Sequence, residues 1–198
     1  MLWLWMGCVL NKDVLDASTR ELIQSHQPDI LVDKSDEKLY LIQDGDLIKT
    51  DTGYLSWDVS FGIHPIGDKE AEGDKKTPEG LYTYTDYAKS SSVYGSLLIH
   101  YPDISDAQRG LDAERINRET FAQVQRSIQK GQAPPMKTPL GGYILVHGLL
   151  KSETRFESNQ RYLYTDGCVG MSNDDIDSLR LSLEEIDSLK KGTILIVP

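Results

Sequence analysis

The residues best suited to chemistry gather in Tyr164-Thr165-Asp166-Gly167-Cys168-Val169-Gly170-Met171-Ser172-Asn173-Asp174-Asp175, where a cysteine follows a glycine and precedes a helix start. A cysteine attacks carbon only as the thiolate, so it needs a base or a cation beside it. The nearest upstream histidine is His147, 21 residues earlier, in Gly141-Gly142-Tyr143-Ile144-Leu145-Val146-His147-Gly148. Backbone N–H groups of Gly167 and Cys168 could form an oxyanion hole, because such donors must point to where negative charge develops. Each feature alone has a plainer reading: a lone cysteine is commonly a small buried hydrophobe, and a strand histidine a satisfied core residue. Their pairing points to covalent acyl transfer, with Cys168 as nucleophile and His147 as base.

Three other histidines compete for the role of base. His64 and His100 read as structural or solvated, and His26 falls in the N-terminal lead. The histidines show no close metal-ligand spacing, and Asp174, Asp175 and Asp177 read as the acidic first turn of a helix. Neither a metal nor a cofactor is called for. The loop from Asp68 to Lys76 reads as a solvated surface with no phosphate-cradling spacing.

The elements that must position the pair are mostly strands. Ile30–Asp33, Lys38–Gln43 and 46–50 form a meander, with Asp44-Gly45 as a hairpin turn. Leu55, Trp57, Val59 and Phe61 alternate with polar residues, which predicts a strand with one buried face. A long Gly-, Pro- and charge-rich loop over 62–80 is expected to be ordered, since such loops in compact domains are functional or disordered and this one carries regular turn residues. Strands over 81–85 and 96–101 follow, joined by a Ser-rich connection, and 106–130 reads as an irregular helical insertion. A strand over 143–147 places His147 on one face with Tyr143 and Leu145, and Ile144 and Val146 on the other. Ser172 and Asp175 resemble a capping box opening a helix near Asn173, with a break near Ser182, and 193–197 is the last strand.

With 198 residues, one domain with a real core fits. Residues 1–28 read as a leader and 29–198 as the catalytic domain. A net charge of −10 repels phosphate backbones and anionic lipid, so nucleic acid is excluded as a partner. Two cysteines, Cys8 and Cys168, leave no disulfide framework. No apolar run approaches the ~18 residues of a membrane span. The apolar start Met1–Leu10, with Gly7-Cys8, suits either a remnant export signal with a lipidated Cys8 or a buried segment. Oligomeric state is not legible.

Several segments, in order over about residues 36–198, resemble the L,D-transpeptidase catalytic domain, the YkuD family of bacterial cell-wall enzymes. They are 66–69, 72–80, Tyr101-Pro102-Asp103, Thr138-Pro139-Leu140-Gly141-Gly142 leading into His147-Gly148, and Thr165-Asp166-Gly167-Cys168-Val169 with Met171–Ile176. The resemblance implies a mainly β fold with helices (α+β), a sandwich-like mixed sheet with a helix beside the active site. It also implies Cys168 as acylated nucleophile, His147 as base, and Gly167, Gly148, Thr165 and Asp166 around the pocket. Its substrates would be peptidoglycan stem tetrapeptides, placing the protein in the cell envelope. Two alternatives stand beside transpeptidation: a stem-peptide hydrolase on the same scaffold, and an inactive envelope-binding module. The chain departs from the usual Ser-His-Gly-Cys, apolar, Arg signature at Asp166 and Gly170. The Arg place lacks a carboxylate anchor, and Asp166 reads as a loop-shaping residue able to steer an acceptor amine.

Overall fold

Short runs of β-branched, aromatic and other apolar residues form the strands of a mixed sheet, and amphipathic stretches form helices around it. The computed structural model describes residues 14–87, 92–149 and 165–198. Cys8, the apolar start and part of the Ser-rich connection lie outside the described residues. The elements are α1 (Ala17–His26), β1 (Ile30–Asp33), β2 (Lys38–Gln43), β3 (Asp46–Leu47), β4 (Lys49–Thr50), β5 (Gly53–Tyr54), β6 (Ser56–Asp58), β7 (Gly80–Asp86) and β8 (Ser96–Ile99). They continue with α2 (Ile104–Asp112), α3 (Arg118–Gln129), β9 (Ile144–His147), β10 (Val169–Gly170), α4 (Asn173–Glu185) and β11 (Lys191–Val197).

One mixed sheet runs β10-β9-β8-β7-β11-β1-β2-β3, with β6 also paired to β2. It curls: beyond β6, Ser60 bridges Gly170 and Gly62 bridges Thr165, so the first meander meets the cysteine loop. Asp44 and Gly45 both take positive φ, 55° and 78°, the turn expected of that dipeptide. The predicted third strand of the meander is interrupted at Ile48, and β4 pairs only with β5 in a small ribbon.

β11 shows why the sheet holds. Ile194 and Ile196 enter one core with Ile30, Val32, Leu39 and Leu41, closed by Ile176, Leu179 and Leu183 of α4. Leu195 and Val197 face the other side, with Leu31, Tyr40 and Ile42 beneath Ile23 of α1 and Leu15. A strand covered on both faces reads as a continuous apolar run, as the sequence does here. The region 1–28 therefore contributes a helix packed on the outer sheet face.

The helical insertion resolves into two helices. Asp103 and Asp106 form a capping box at the start of α2, and Asn117 caps α3. Leu140 packs with Ala107, Ile116 and Val124 of this pair. α4 runs unbroken past Ser182, because Leu179 and Leu183 lie on one buried face of a continuous helix. Ile186 and Leu189, expected as helical, follow its end and pack against the same core.

Ile194 is fully buried in the middle of the sheet. Ile194→Ala is expected to cost about 2–5 kcal/mol, read as a lowered midpoint in urea unfolding with an unchanged slope.

Candidate active site

β9 and β10 decide the geometry. They pair in parallel, Val169 opposite Val146 and Gly170 opposite His147. Val146 and Val169 enter the main core, so their neighbours Leu145, His147 and Cys168 share the opposite face. Cys168 lies beside Leu145, whose N–H donates to Sγ at 3.4 Å. The thiol in turn points at the carbonyl of Tyr143, 3.8 Å away. By the register Cys168 lies opposite Leu145, so it and His147 sit diagonally on one face, roughly 8 Å apart between Cα atoms by strand spacing and rise.

His147 is 4% exposed. Its Nδ1 hydrogen-bonds the carbonyl oxygen of Gly148, and since a carbonyl only accepts, Nδ1 carries the proton. Nε2 then holds the lone pair and is the basic nitrogen.

Cys168 is half-buried and packs against Val93, Leu98 and Leu145 beside Tyr87 and Met136. Burial pushes its thiol up to about 11, helped by the Asp166 carboxylate and opposed by the Leu145 N–H and the Lys69 ammonium. At neutral pH the resting group is the thiol. Tyr87 and Tyr143 meet edge to face, with ring centroids 5.9 Å apart, and form an aromatic wall at this cluster.

The turn before the cysteine is drawn tight by Thr165. Its hydroxyl donates to the Cys168 carbonyl at 2.7 Å and accepts the Gly167 N–H at 3.2 Å. The Gly167 amide is thus engaged within its own turn. Gly167 has φ +135°, and a Cβ there would lie 2.6 Å from the Lys76 carbonyl oxygen. Glycine is required by both conformation and space. The Asp166 side chain is 88% exposed and stands 3.8 Å from Lys75 Nζ, at the rim. Gly170, at the Arg place of the common signature, is locked to Ser60 by two backbone bonds of 2.9 Å.

The loop read as solvated surface is anchored instead. Lys69, 3% exposed, pairs with Asp74 at 2.7 Å and also donates to the Ala71 carbonyl. The Asp74 carboxylate also accepts N–H bonds from Glu70, Ala71 and Lys76, and against the opposing effect of burial the Lys69 ammonium, followed by these backbone bonds, holds its pKa low. Tyr101 donates to the Lys69 and Leu140 carbonyls, tying the loop to the Thr138–Gly142 turn. At the far end Lys34 bonds Glu79 at 2.6 Å. Lys69 and Asp74 were hidden as site residues by their charge; the clue was two opposite charges inside a long loop with regular turns.

The other candidate bases lie elsewhere. His100 is buried at the end of β8, its Nε2 3.2 Å from Thr85 Oγ1, and burial with Lys191 nearby lowers its pKa. His64 is exposed, with Nδ1 on the Asp74 carbonyl. His26 ends α1. Asp175 bonds Ser172 and Asp177 accepts from Tyr94, consistent with an acidic helix start. No cluster of three or more metal-ligating side chains occurs among the described residues.

A thiol and a basic imidazole on one sheet face, behind a loop that ends in a glycine turn, can be set against known proteins. A family model, the L,D-transpeptidase catalytic domain (YkuD), matches residues 27–192. The chain belongs to this family. Among solved structures it is similar to the helical cell shape determining protein Pgp2 from Campylobacter jejuni, at 18% identity and TM-score 0.50, covering 89% of this chain and 54% of that one. The K307A mutant of Pgp2 gives 20% identity and TM-score 0.52, covering 89% and 53%. Bd1075 from Bdellovibrio bacteriovorus is similar at 21% identity and TM-score 0.47, covering 86% and 47%. At these identities the Pgp2 likeness shows a shared fold. The chain spans about half the length of these structures. Among curated proteins none matches.

Because the thiol is held protonated well above neutral pH, alkylation of Cys168 by iodoacetamide is expected to rise steadily from pH 7 to 10, the thiolate route adding to any deprotonation assisted by His147. A flat rate between pH 6 and 9 would instead mark a preformed thiolate.

Proposed function

We propose that this chain is a cysteine acyltransferase, an L,D-transpeptidase acting on peptidoglycan stem tetrapeptides through a Cys168 thioester with His147 as base. The observation that carries the reading is the placement of Cys168 and His147 on one face of adjacent parallel strands, with His147 Nδ1 tied to Gly148. Family membership supports the substrate class. The same reading places the protein in the cell envelope, takes 29–198 as its catalytic domain and treats 1–28 as a leader. Similarity to a protein whose name states that it determines helical cell shape supports a role in shape.

In the first half-reaction Sγ attacks the carbonyl carbon of the bond between the L-centre and the terminal D-residue, while the thiol proton passes to His147 Nε2. The C–S bond forms, the tetrahedral oxyanion collapses, the C–N bond breaks, and the leaving amine takes the proton from the imidazolium. In the second, an amine attacks the thioester, His147 removes its proton, and the C–S bond breaks. The proton then returns to sulfur. The neutral resting thiol makes His147 a general base in the attack, since no standing ion pair is required.

A second reading has water as acceptor and the enzyme as a stem-peptide hydrolase. Gly170 favours it, because glycine places no side chain there to anchor an acceptor carboxylate. The exposed Asp166 carboxylate at the rim favours a cationic amine acceptor. Purified protein incubated with tetrapeptide muropeptides is expected to give 3→3 cross-linked dimers. Trimmed stems without dimers would replace the first reading by the second, and unchanged substrate with measurable binding would identify a silent module. Cys168→Ala is expected to abolish turnover, and persistent activity in that variant would sink the mechanism.

A further inference from the structure

We propose that Asn173 is a positioning residue for the site: its side-chain oxygen fixes the Gly148–Leu149 peptide, and that peptide fixes the imidazole of His147. The proposal rests on the acyl-transfer reading for its catalytic meaning, and on geometry for its structural content.

The peptide that follows His147 has all its polar groups committed. The Gly148 N–H donates to the Tyr94 carbonyl, and the Leu149 carbonyl accepts from the Tyr94 N–H, both at 2.9 Å. The Gly148 carbonyl accepts from His147 Nδ1. The Leu149 N–H donates to Asn173 Oδ1 at 2.9 Å. The last two groups are the C=O and N–H of a single planar peptide unit. Asn173 therefore holds one end of the plane whose other end orients the base. Hydrogen bonds at both ends of one amide polarise each other, so the Asn173 bond also strengthens the carbonyl as an acceptor for Nδ1–H. Of these four partners, two are Tyr94 backbone groups and one is His147; Asn173 is the side chain open to substitution without touching the base.

Two further observations separate this role from helix capping. The cap of α4 is Ser172, whose hydroxyl accepts the Asp175 N–H, so the helix start does not use the Asn173 amide. And a Cβ built on Gly148 would lie 2.6 Å from Asn173 Oδ1, so the side chain is seated directly on the backbone it orients. Asn173 lies two residues beyond Met171, whose N–H donates to the His147 carbonyl, so the segment entering α4 bonds the backbone both at His147 and at Leu149.

The test compares Asn173→Ala, Asn173→Ser and Asn173→Asp with wild type and His147→Ala. Alanine removes the acceptor; serine is too short to reach Leu149 but suits a helix start; aspartate keeps an acceptor oxygen. In turnover of stem peptide, Ala and Ser are expected to lower kcat about tenfold or more with KM within about twofold, and Asp to stay within about threefold of wild type. A purely structural role would not give that rescue with an unchanged KM. Cys168 alkylation at pH 8 gives a reading that needs no substrate: Ala and Ser should slow it about fivefold, in the direction of His147→Ala, while Asp holds the wild-type rate. Circular dichroism and unfolding midpoints verify that the variants are folded, and if Ala is not, Ser carries the comparison. Wild-type kcat and alkylation in folded Ala or Ser would overturn the proposal. A wild-type protein inert toward stem peptides, with alkylation still slowed in the variants, would retire the acyl-transfer reading and uphold the positioning role.

Discussion

The site depends on a strand two residues long. β10 cannot stand on its own; it is held between β9, with which it pairs in parallel, and Ser60, which bonds Gly170 from the other side. That double grip sets the register, and a one-residue slip would turn Cys168 into the main core and Val169 out of it. The curl of the sheet exists to supply the second grip. Everything from the first meander to the anchored 62–80 loop serves to bring Ser60 and Gly62 to the cysteine turn.

Electrostatics are managed by burial as much as by charge. The buried Lys69–Asp74 pair would be costly if either partner were lost, because a lone ion in that position has no solvent to answer it. Here Asp74 is saturated by backbone N–H groups, so the ammonium can act on the nearby sulfur without the loop losing its form. Asp166 acts in the opposite sense, from the rim. The thiol is therefore held protonated at rest, and under the proposed mechanism its activation falls to the imidazole, which would make the orientation of His147 the controlling variable.

Much of this was legible in the sequence, and for stated reasons. Period-two patterning placed Leu145 and His147 together and Val146 opposite, because side-chain alternation in a strand is geometric. The Asp44-Gly45 turn and the Ser172 helix start were visible because positive φ and capping have few residue types that serve them. The ordered segments of the family signature carried the fold. What stayed hidden were contacts between segments far apart in the chain. Lys69 and Asp74 look like any surface charges until Tyr101 and the Thr138–Gly142 turn are laid over them. The engaged amide of Gly167 could not be foreseen, since Thr165 was read as pocket lining and acts as the clasp of the turn. Asn173 reads only as a helix start until Leu149 is seen against it. The supposed break near Ser182 failed because polar residues on one side of a helix do not interrupt it while Leu179 and Leu183 stay buried.

The position of β11 carries one more consequence. It lies between β7 and β1, so within the run of strands the arm that bears the histidine and the arm that bears the first meander are joined through it, and they meet again where Ser60 bridges Gly170. Ser60 and Gly170 are 110 residues apart in the chain. Contacts of such long range are slow to form, because loop closure must precede the interactions that reward it. Cys168 and His147 share one arm of the sheet and pair through neighbouring strands, but the Ser60–Gly170 contact that completes the register of the cysteine strand needs the meander arm brought round, with β11 between the two arms. The local pairing of the cysteine strand is the quick contact and its final register the slow one.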